Sequence, residues 1–467
     1  MYKLILNTFV LNLFFFFILV ENLSFADEQT QIKQYETGGI YEGEFLDGKQ
    51  HGKGKYSLPN GYQYEGDWKE GKIEGFGKAK YPDGSIYEGT FIDGQHSGEG
   101  KIIFPDGSFY KGNWLEGNFN GYGTLEYSNG IIIEGNFSKG LLDGKGTQKN
   151  KNGYTYSGDW KTGEKTGIAI INYDGGGKYE GGVLKGTRNG KGKLTLLDGS
   201  ILEGNFTDGS ISGNGSIIYA NGDSYVGELL KNNIEGQGIK KFASGSKYDG
   251  SFKNNLFDGF GIYETVDGYI AEGNWFKGQI EGKGKITYPD LSLYNGDLVK
   301  GIPNGTGTII YEDGSNYSGQ WLNGKIDGFG IAKYSNGQTY TGNFKNGKNH
   351  GKGQMIFGDG YTYEGLWSNG LFDGEGIAKY SDGSKYTGFF KMGKRHGLGK
   401  IEMADGSTFE GNFENGRING DGVAIYPNGD RYEGSFKDGK REGAGKIIYK
   451  SGVTYEGQWE NNNRISD

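Results

Sequence analysis

Tyr64-Glu65-Gly66-Asp67-Trp68-Lys69-Glu70-Gly71-Lys72-Ile73-Glu74-Gly75-Phe76-Gly77 opens a stretch that closes on Tyr81-Pro82-Asp83-Gly84, and Tyr87 starts the same pattern again. Gly43, Gly66, Gly89, Gly112 and Gly135 stand 23 residues apart, and every further step of 23 through Gly457 lands on glycine. Self-similarity at such a period marks a repeat architecture. With Tyr41 as position 1, nineteen repeats follow without insertion or deletion, and glycine recurs at positions 3, 8, 12, 14 and 21. Those positions hold 87 of the 93 glycines. The glycine is therefore periodic punctuation, unlike that of a disordered linker, which also lacks aromatic residues.

Position 1 is tyrosine in fifteen repeats, among them Tyr41, Tyr64, Tyr87 and Tyr110. Position 5 is Phe or Trp in sixteen, including Phe45, Trp68, Phe91 and Trp114. These rings alternate with residues such as Glu42 and Glu44, the period of a half-buried strand. A second strand is expected over positions 14 to 18, with a six- to eight-residue connection holding Gly48 or its equivalents between the two. Pro59, Pro82, Pro105, Pro289 and Pro427 share position 19, where a strand has ended and no N–H is needed. Each repeat then reads as a β-hairpin, which cannot bury its apolar face alone. The expected fold is all-β, an elongated, twisted array of stacked antiparallel hairpins in a single sheet, with contact between nearest neighbours. At about 4.8 Å per strand it would extend on the order of 170–180 Å.

The repeat resembles the membrane occupation and recognition nexus (MORN) repeat over about residues 35–467. Departures are few: Asn232, Asn255 and Asn462 replace glycine, as do Ala169 and Leu291, and Val183, Leu229 and Leu298 replace the position-5 ring. The resemblance implies an extended hairpin scaffold, often dimeric and often near membranes. Some relatives add a lipid kinase or lysine methyltransferase domain, and no segment outside the repeats is large enough for one here.

The chain divides by sequence into residues 1–26, a leading half-repeat over 27–40 around Tyr35 and Gly38, and the array over 41–467, whose last repeat is incomplete. Lys3, the apolar run Leu4 to Val20 and Ser24-Phe25-Ala26 are the parts of a secretory signal peptide, the alternative being an N-terminal membrane anchor. Export to the periplasm or exterior of a bacterium is the expectation.

Cysteine is absent and histidine numbers four, which removes thiol chemistry and leaves no metal-ligand cluster. His51, His96, His350 and His396 are expected as exposed loop residues. A net charge of −8 disfavours nucleic acid as a partner. No catalytic residue, cofactor or metal site is assigned. The reading is a non-catalytic exported scaffold for a protein partner, with a glycan- or peptidoglycan-binding rod using exposed tyrosines as its alternative and a lipid-modifying or hydrolytic enzyme a more distant one.

Two candidate surfaces lie near position 10. An apolar stripe, Ile73, Phe119, Leu142, Ile234, Phe257, Ile280, Ile326 and Phe372, would be an interaction ledge if exposed, and edge packing if not. A basic group, Lys348, His350, Lys394, Arg395, His396, Arg417, Lys440 and Arg441, would suit anionic lipid headgroups or an acidic partner. The unfinished last repeat suggests a homodimer through the C-terminal repeats.

Overall fold

The computed structural model describes residues 30–465, so the signal segment expected over 1–26 lies outside the described residues. Every described element is a strand, 39 in all, and within each of the two compact units of the chain consecutive strands pair antiparallel. The chain forms two compact units, one reaching Gly176 and including Val183–Gly186, the other holding Gly177–Gly182 and everything from Thr187 onward. Both are built from the same hairpin. At the N-terminal end Gln31–Gln34 pairs with Ile40–Leu46, and at the C-terminal end Asn463–Arg464 starts a second strand against Trp459 and Glu460.

The hairpin is tighter than the sequence suggests. In the repeat beginning at Tyr41 the first strand is Ile40–Leu46 and the second is Lys49–Ser57. The two are joined by Asp47 and Gly48 alone, both at positive φ (50° and 79°). That is the two-residue type I′ turn, whose twist matches that of paired strands. The expected long connection is thus strand. It escaped notice because of a bulge: Gly43 pairs with Gly54 but Glu44 pairs with His51, which leaves Gly52 and Lys53 unmatched. Gly52 takes φ 57°, a backbone state that glycine enters without steric cost. Pairing with the next repeat is uninterrupted from Gly52↔Trp68 to Ser57↔Gln63.

The bulge frees polar groups, and side chains of the repeat satisfy them. The Tyr41 hydroxyl donates to the Glu44 carbonyl at 2.9 Å, and Tyr64, Tyr87 and Tyr110 do the same to Asp67, Thr90 and Asn113. Reaching that carbonyl lays the ring flat over the paired glycines at positions 3 and 14, where a Cβ would collide with it. The bulge N–H groups of Phe76, Ile168 and Thr306 donate to the carboxylates of Asp67, Asp159 and Asp297. Burial, then the neighbouring Glu44 charge, pushes the Tyr41 hydroxyl up to about 12.

Repeats are joined along their seams by rings and by hydrogen bonds. Tyr41 meets its own Phe45 and the next repeat's Trp68 edge-on, both at 5.1 Å, and such contacts continue unbroken from Tyr294 to Tyr455. Edge-to-face pairs contribute about 0.5–1.5 kcal/mol each beyond burial. Acidic residues at position 11 accept the turn N–H of the following repeat, as Glu74 does from Asp93 and Asp373 from Met392. The substitutions Asn232, Asn255 and Asn462 also have a reason. Each side chain accepts a backbone N–H of the preceding repeat, from Ile211, Ile234 and Arg441.

Candidate partner-binding furrow

Position 10 faces the rings, so the apolar stripe is core and not a ledge. Leu142, Ile234 and Ile280 are buried, and Ile73, Phe119, Phe257, Ile326 and Phe372 are half-buried. Phe119, Phe257 and Phe372 stack on Tyr110, Tyr248 and Tyr363 at 3.7–3.8 Å. The position-1 tyrosines other than Tyr455 are buried on this face, whereas Tyr122 is exposed.

Strand alternation splits the basic group between two faces. Arg395 and Arg441 turn onto the rings, Arg395 lying 5.7 Å from the Tyr386 centroid and Arg441 4.1 Å from that of Trp459. Their guanidinium groups donate to the carbonyls of Gly416 and Asn462. Lys348, Lys394, Arg417 and Lys440 remain exposed, Arg417 paired with Asp438 at 3.1 Å. His350 and His396 are half-buried between these residues, and the structure does not assemble the eight into one surface.

Histidines correct the loop expectation too, since all four lie on strands and are at least half-buried. His96 stacks on Tyr87 at 3.7 Å, meets Trp114 edge-on and contacts the Tyr81 hydroxyl. Burial lowers its pKa to about 4, against 6.5 for a free side chain. Because the folded value is the lower one, stability from the neutral ring is complete above about pH 6.5 and is lost as the pH falls through 4. Between pH 7 and 4 we expect His96→Phe to spare its repeat a loss of about 2 kcal/mol, a figure reduced for the ring's partial exposure. Amide exchange at Ile86–Ile103 in both proteins checks this, and equal pH dependence would refute it.

The face away from the rings carries positions 2 and 4 of the first strand and 13 and 15 of the second. Across it, ion pairs close the ladder in many repeats: Lys145–Asp159 at 2.6 Å, Lys193–Glu203 at 3.2 Å, Lys283–Asp297 at 3.4 Å. Among the described residues no such pair lies between Glu88 and Glu134, between Glu203 and Glu272, or between Asp297 and Lys446, and the last stretch contains Phe329 to Asn412. The ladder pairs there are Phe329↔Asn343, Lys352↔Leu366, Glu375↔Phe389 and Leu398↔Asn412. Among the described residues, none of these pairs is bridged by side chains. Phe329, Leu366, Phe389 and Leu398 are exposed, one from each of four successive ladders. Phe329, Leu366 and Phe389, with Lys352 and Glu375, wall a furrow of about 870 Å³ floored by Gly342, Gly353, Gly365, Gly376 and Gly388. Thr341, Gln354, Glu364, Ile377 and Thr387 form the opposite wall, and a second hollow continues past Leu398 to Arg431. Sequence reasoning missed Phe329 and Leu398 because the bulge moves position 13 out of alternation with position 10; Leu366 and Phe389 stand at position 4, on the outward face that alternation of the first strand already gives. An apolar residue between the glycines of positions 12 and 14 was the available signal.

Among the described residues, no three His, Asp or Glu side chains are grouped to hold a metal, and no helix is long and apolar enough to cross a membrane. Regular hairpins closed by local hydrogen bonds and stacked repeat on repeat define a repeat scaffold. The chain belongs to the MORN repeat family, whose model matches eighteen segments from 41–61 through 455–464. Residues 156–178, the repeat with Ala169 at position 14, fall between matched segments. Repeats of this family are generally non-catalytic.

No curated protein matches the chain. Among solved structures, the TCP10 domain of Danio rerio CPAP in complex with a STIL peptide is similar at 15% identity and TM-score 0.24, over 52% of this chain and 95% of that one. The Drosophila melanogaster SAS-4 TCP domain, solved with a proline-rich motif of Ana2, gives 19% and 0.21 over 39% and 89%. Virginiamycin B lyase from Staphylococcus aureus gives 10% and 0.12 over 73% and 93%. Overlaps this partial carry nothing over to what this chain binds.

Proposed function

We propose that this chain is an exported, non-catalytic scaffold that holds a partner protein against its outer face, with the furrow from Phe329 to Leu398 as the main contact. The observation behind this reading is the group of exposed apolar side chains Phe329, Leu366, Phe389 and Leu398 beside two adjoining hollows of the outer face, on a stretch without cross-strand ion pairs among the described residues. Exposed apolar patches on a soluble surface mark interaction sites. The export half of the proposal rests on Lys3, the run Leu4 to Val20 and Ser24-Phe25-Ala26, and N-terminal sequencing of the mature protein tests it.

A photo-cross-linking residue at Phe329 or Phe389 is expected to trap the same protein in the native cell, while one at Leu322, exposed on the first strand of its repeat, traps none. Leu366→Glu should abolish the trapping. Equal capture from all three positions, or none from any, would overturn the assignment of the furrow.

A further inference from the structure

We infer that a hollow on the outer face beside Tyr122 binds an uncharged oligosaccharide, with one sugar ring laid on the tyrosine and sugar hydroxyls on Thr147 and Ser157. The hollow lies wholly within the first compact unit and does not depend on the furrow beside Phe329.

Three features converge on that ligand. The first is the platform. Tyr122 is 61% exposed, whereas the position-1 tyrosines before it, from Tyr41 to Tyr110, are covered. Its backbone is held on both sides, by the pair Asn136↔Tyr122 and by the Asn113 amide, which donates to the Tyr122 carbonyl at 3.4 Å. Among the described residues its hydroxyl has no hydrogen-bond partner and no ring packs on its faces. A pyranose carries C–H groups on one face and hydroxyls around its rim, which matches an apolar ring with a wet polar tip.

The second is the lining. Tyr122 closes one end of a hollow of about 420 Å³, a volume in the range of small-ligand sites. Its floor is Gly135, Gly146 and Gly158, whose backbones are already paired with one another across the ladder, so a peptide strand cannot add there. In the wall the Thr147 hydroxyl donates to that of Ser157 at 3.3 Å. Other repeats hold a salt bridge at this step, as Lys78–Glu88 and Lys193–Glu203 do. The exchange leaves the Ser157 proton and a Thr147 lone pair for a ligand. Thr308 and Ser318 repeat the hydroxyl pair at 3.1 Å, but position 13 of the repeat before them is Lys283 and not an aromatic ring.

The third is charge. Both charged side chains of the hollow are already matched, Lys145 by Asp159 at 2.6 Å and Glu134 by Lys149 at 3.4 Å. An ionic ligand would have to break one of these pairs, and a neutral one does not. A wholly apolar ligand would strand the Ser157 hydroxyl. What remains is a neutral, hydroxyl-rich molecule with an apolar face. Ile168, exposed at the far end, stands four strands from Tyr122, a reach of about 19 Å that suits several linked sugars and not one.

Calorimetric titration of the full chain with chitotetraose and with cellotetraose tests this. At least one is expected to bind with a Kd of about 1 mM or below. Tyr122→Ala should weaken that sugar about tenfold or more, while Tyr122→Trp keeps it, because only the stacking face is needed. Thr147→Val with Ser157→Ala should cost about threefold or more, and Thr308→Val, at the matching step without the ring, should leave binding within about twofold. Circular dichroism of each variant is expected to match wild type, since these side chains stand on the outer face. No binding of either tetrasaccharide at about 1 mM, binding indifferent to Tyr122→Ala, or tighter binding of adenosine or of glucose phosphate would overturn the inference.

Discussion

Gly77→Ala is expected to loosen its repeat by about 3 kcal/mol, whereas Gly107→Ala costs its repeat about 1 kcal/mol. The two glycines serve different ends. Gly107 sits in a turn at φ 84° with open space around it, so a methyl group meets only the left-handed backbone penalty. Gly77 has an ordinary extended backbone, but a Cβ there would occupy the place of the Tyr64 ring. The ring would lift from the sheet, and its hydroxyl would release the Asp67 carbonyl it holds at 2.9 Å. Loss of ring burial and of that hydrogen bond then add to the strain. Hydrogen exchange at Gln63–Lys69 and Lys72–Lys80 measures the local opening in a repeat array better than a single melting point. Tyr64→Ala should largely mask the effect of Gly77→Ala. If the two losses simply add, the ring is not what the glycine makes room for.

A second large effect is expected where the tyrosine is missing. Position 1 is Ile133, Leu202 and Ala271 in three repeats, and there position 10 is Leu142, Ile211 and Ile280, all buried. In each of the three, a Cβ on a neighbouring paired glycine would touch that aliphatic side chain instead of a ring. The branched residue has taken over the tyrosine's volume. Ile280→Ala is therefore expected to cost about 3 kcal/mol, and Ala271→Tyr alone about 2 kcal/mol through overpacking. The double substitution restores one ring in one space and should recover about 2 kcal/mol or more relative to the sum. Exchange rates over Ile270–Phe276 and Gln279–Thr287 read this directly, and additive losses would count against shared volume.

Period and alternation made the hairpin legible before any coordinates. Tyr41, Gly43 and Phe45 mark one strand with its ring face, and the constant step of 23 dictates nearest-neighbour stacking. What stayed hidden was the geometry between Phe45 and Gly54. A type I′ turn whose first residue is Asp47 looks in sequence like any polar loop, and the bulge at Gly52 and Lys53 breaks the alternation that would have betrayed a strand. Most misses at the candidate sites descend from that one offset, Leu366 and Phe389 at position 4 being the exceptions. It placed the stripe around Ile280 on an imagined loop and assigned Arg395 and Arg441 to the surface they turn away from. It also concealed the outward course of Phe329 and Leu398. A ring-facing arginine is, moreover, indistinguishable in composition from an exposed one, since its stem and planar head can lie on aromatic faces.

All seven tryptophans occupy position 5, and each indole N–H reaches back to a glycine carbonyl of the preceding repeat, from Trp68 to Gly54 at 3.3 Å through Trp459 to Gly445 at 3.1 Å. An indole is thus fastened across one junction and to nothing beyond it. When such a junction parts, its donor passes from a dry carbonyl to water, and the light it emits moves to longer wavelength. The protein comes equipped with seven optical gauges at fixed stations along its sequence, each reporting on its own joint without any dye.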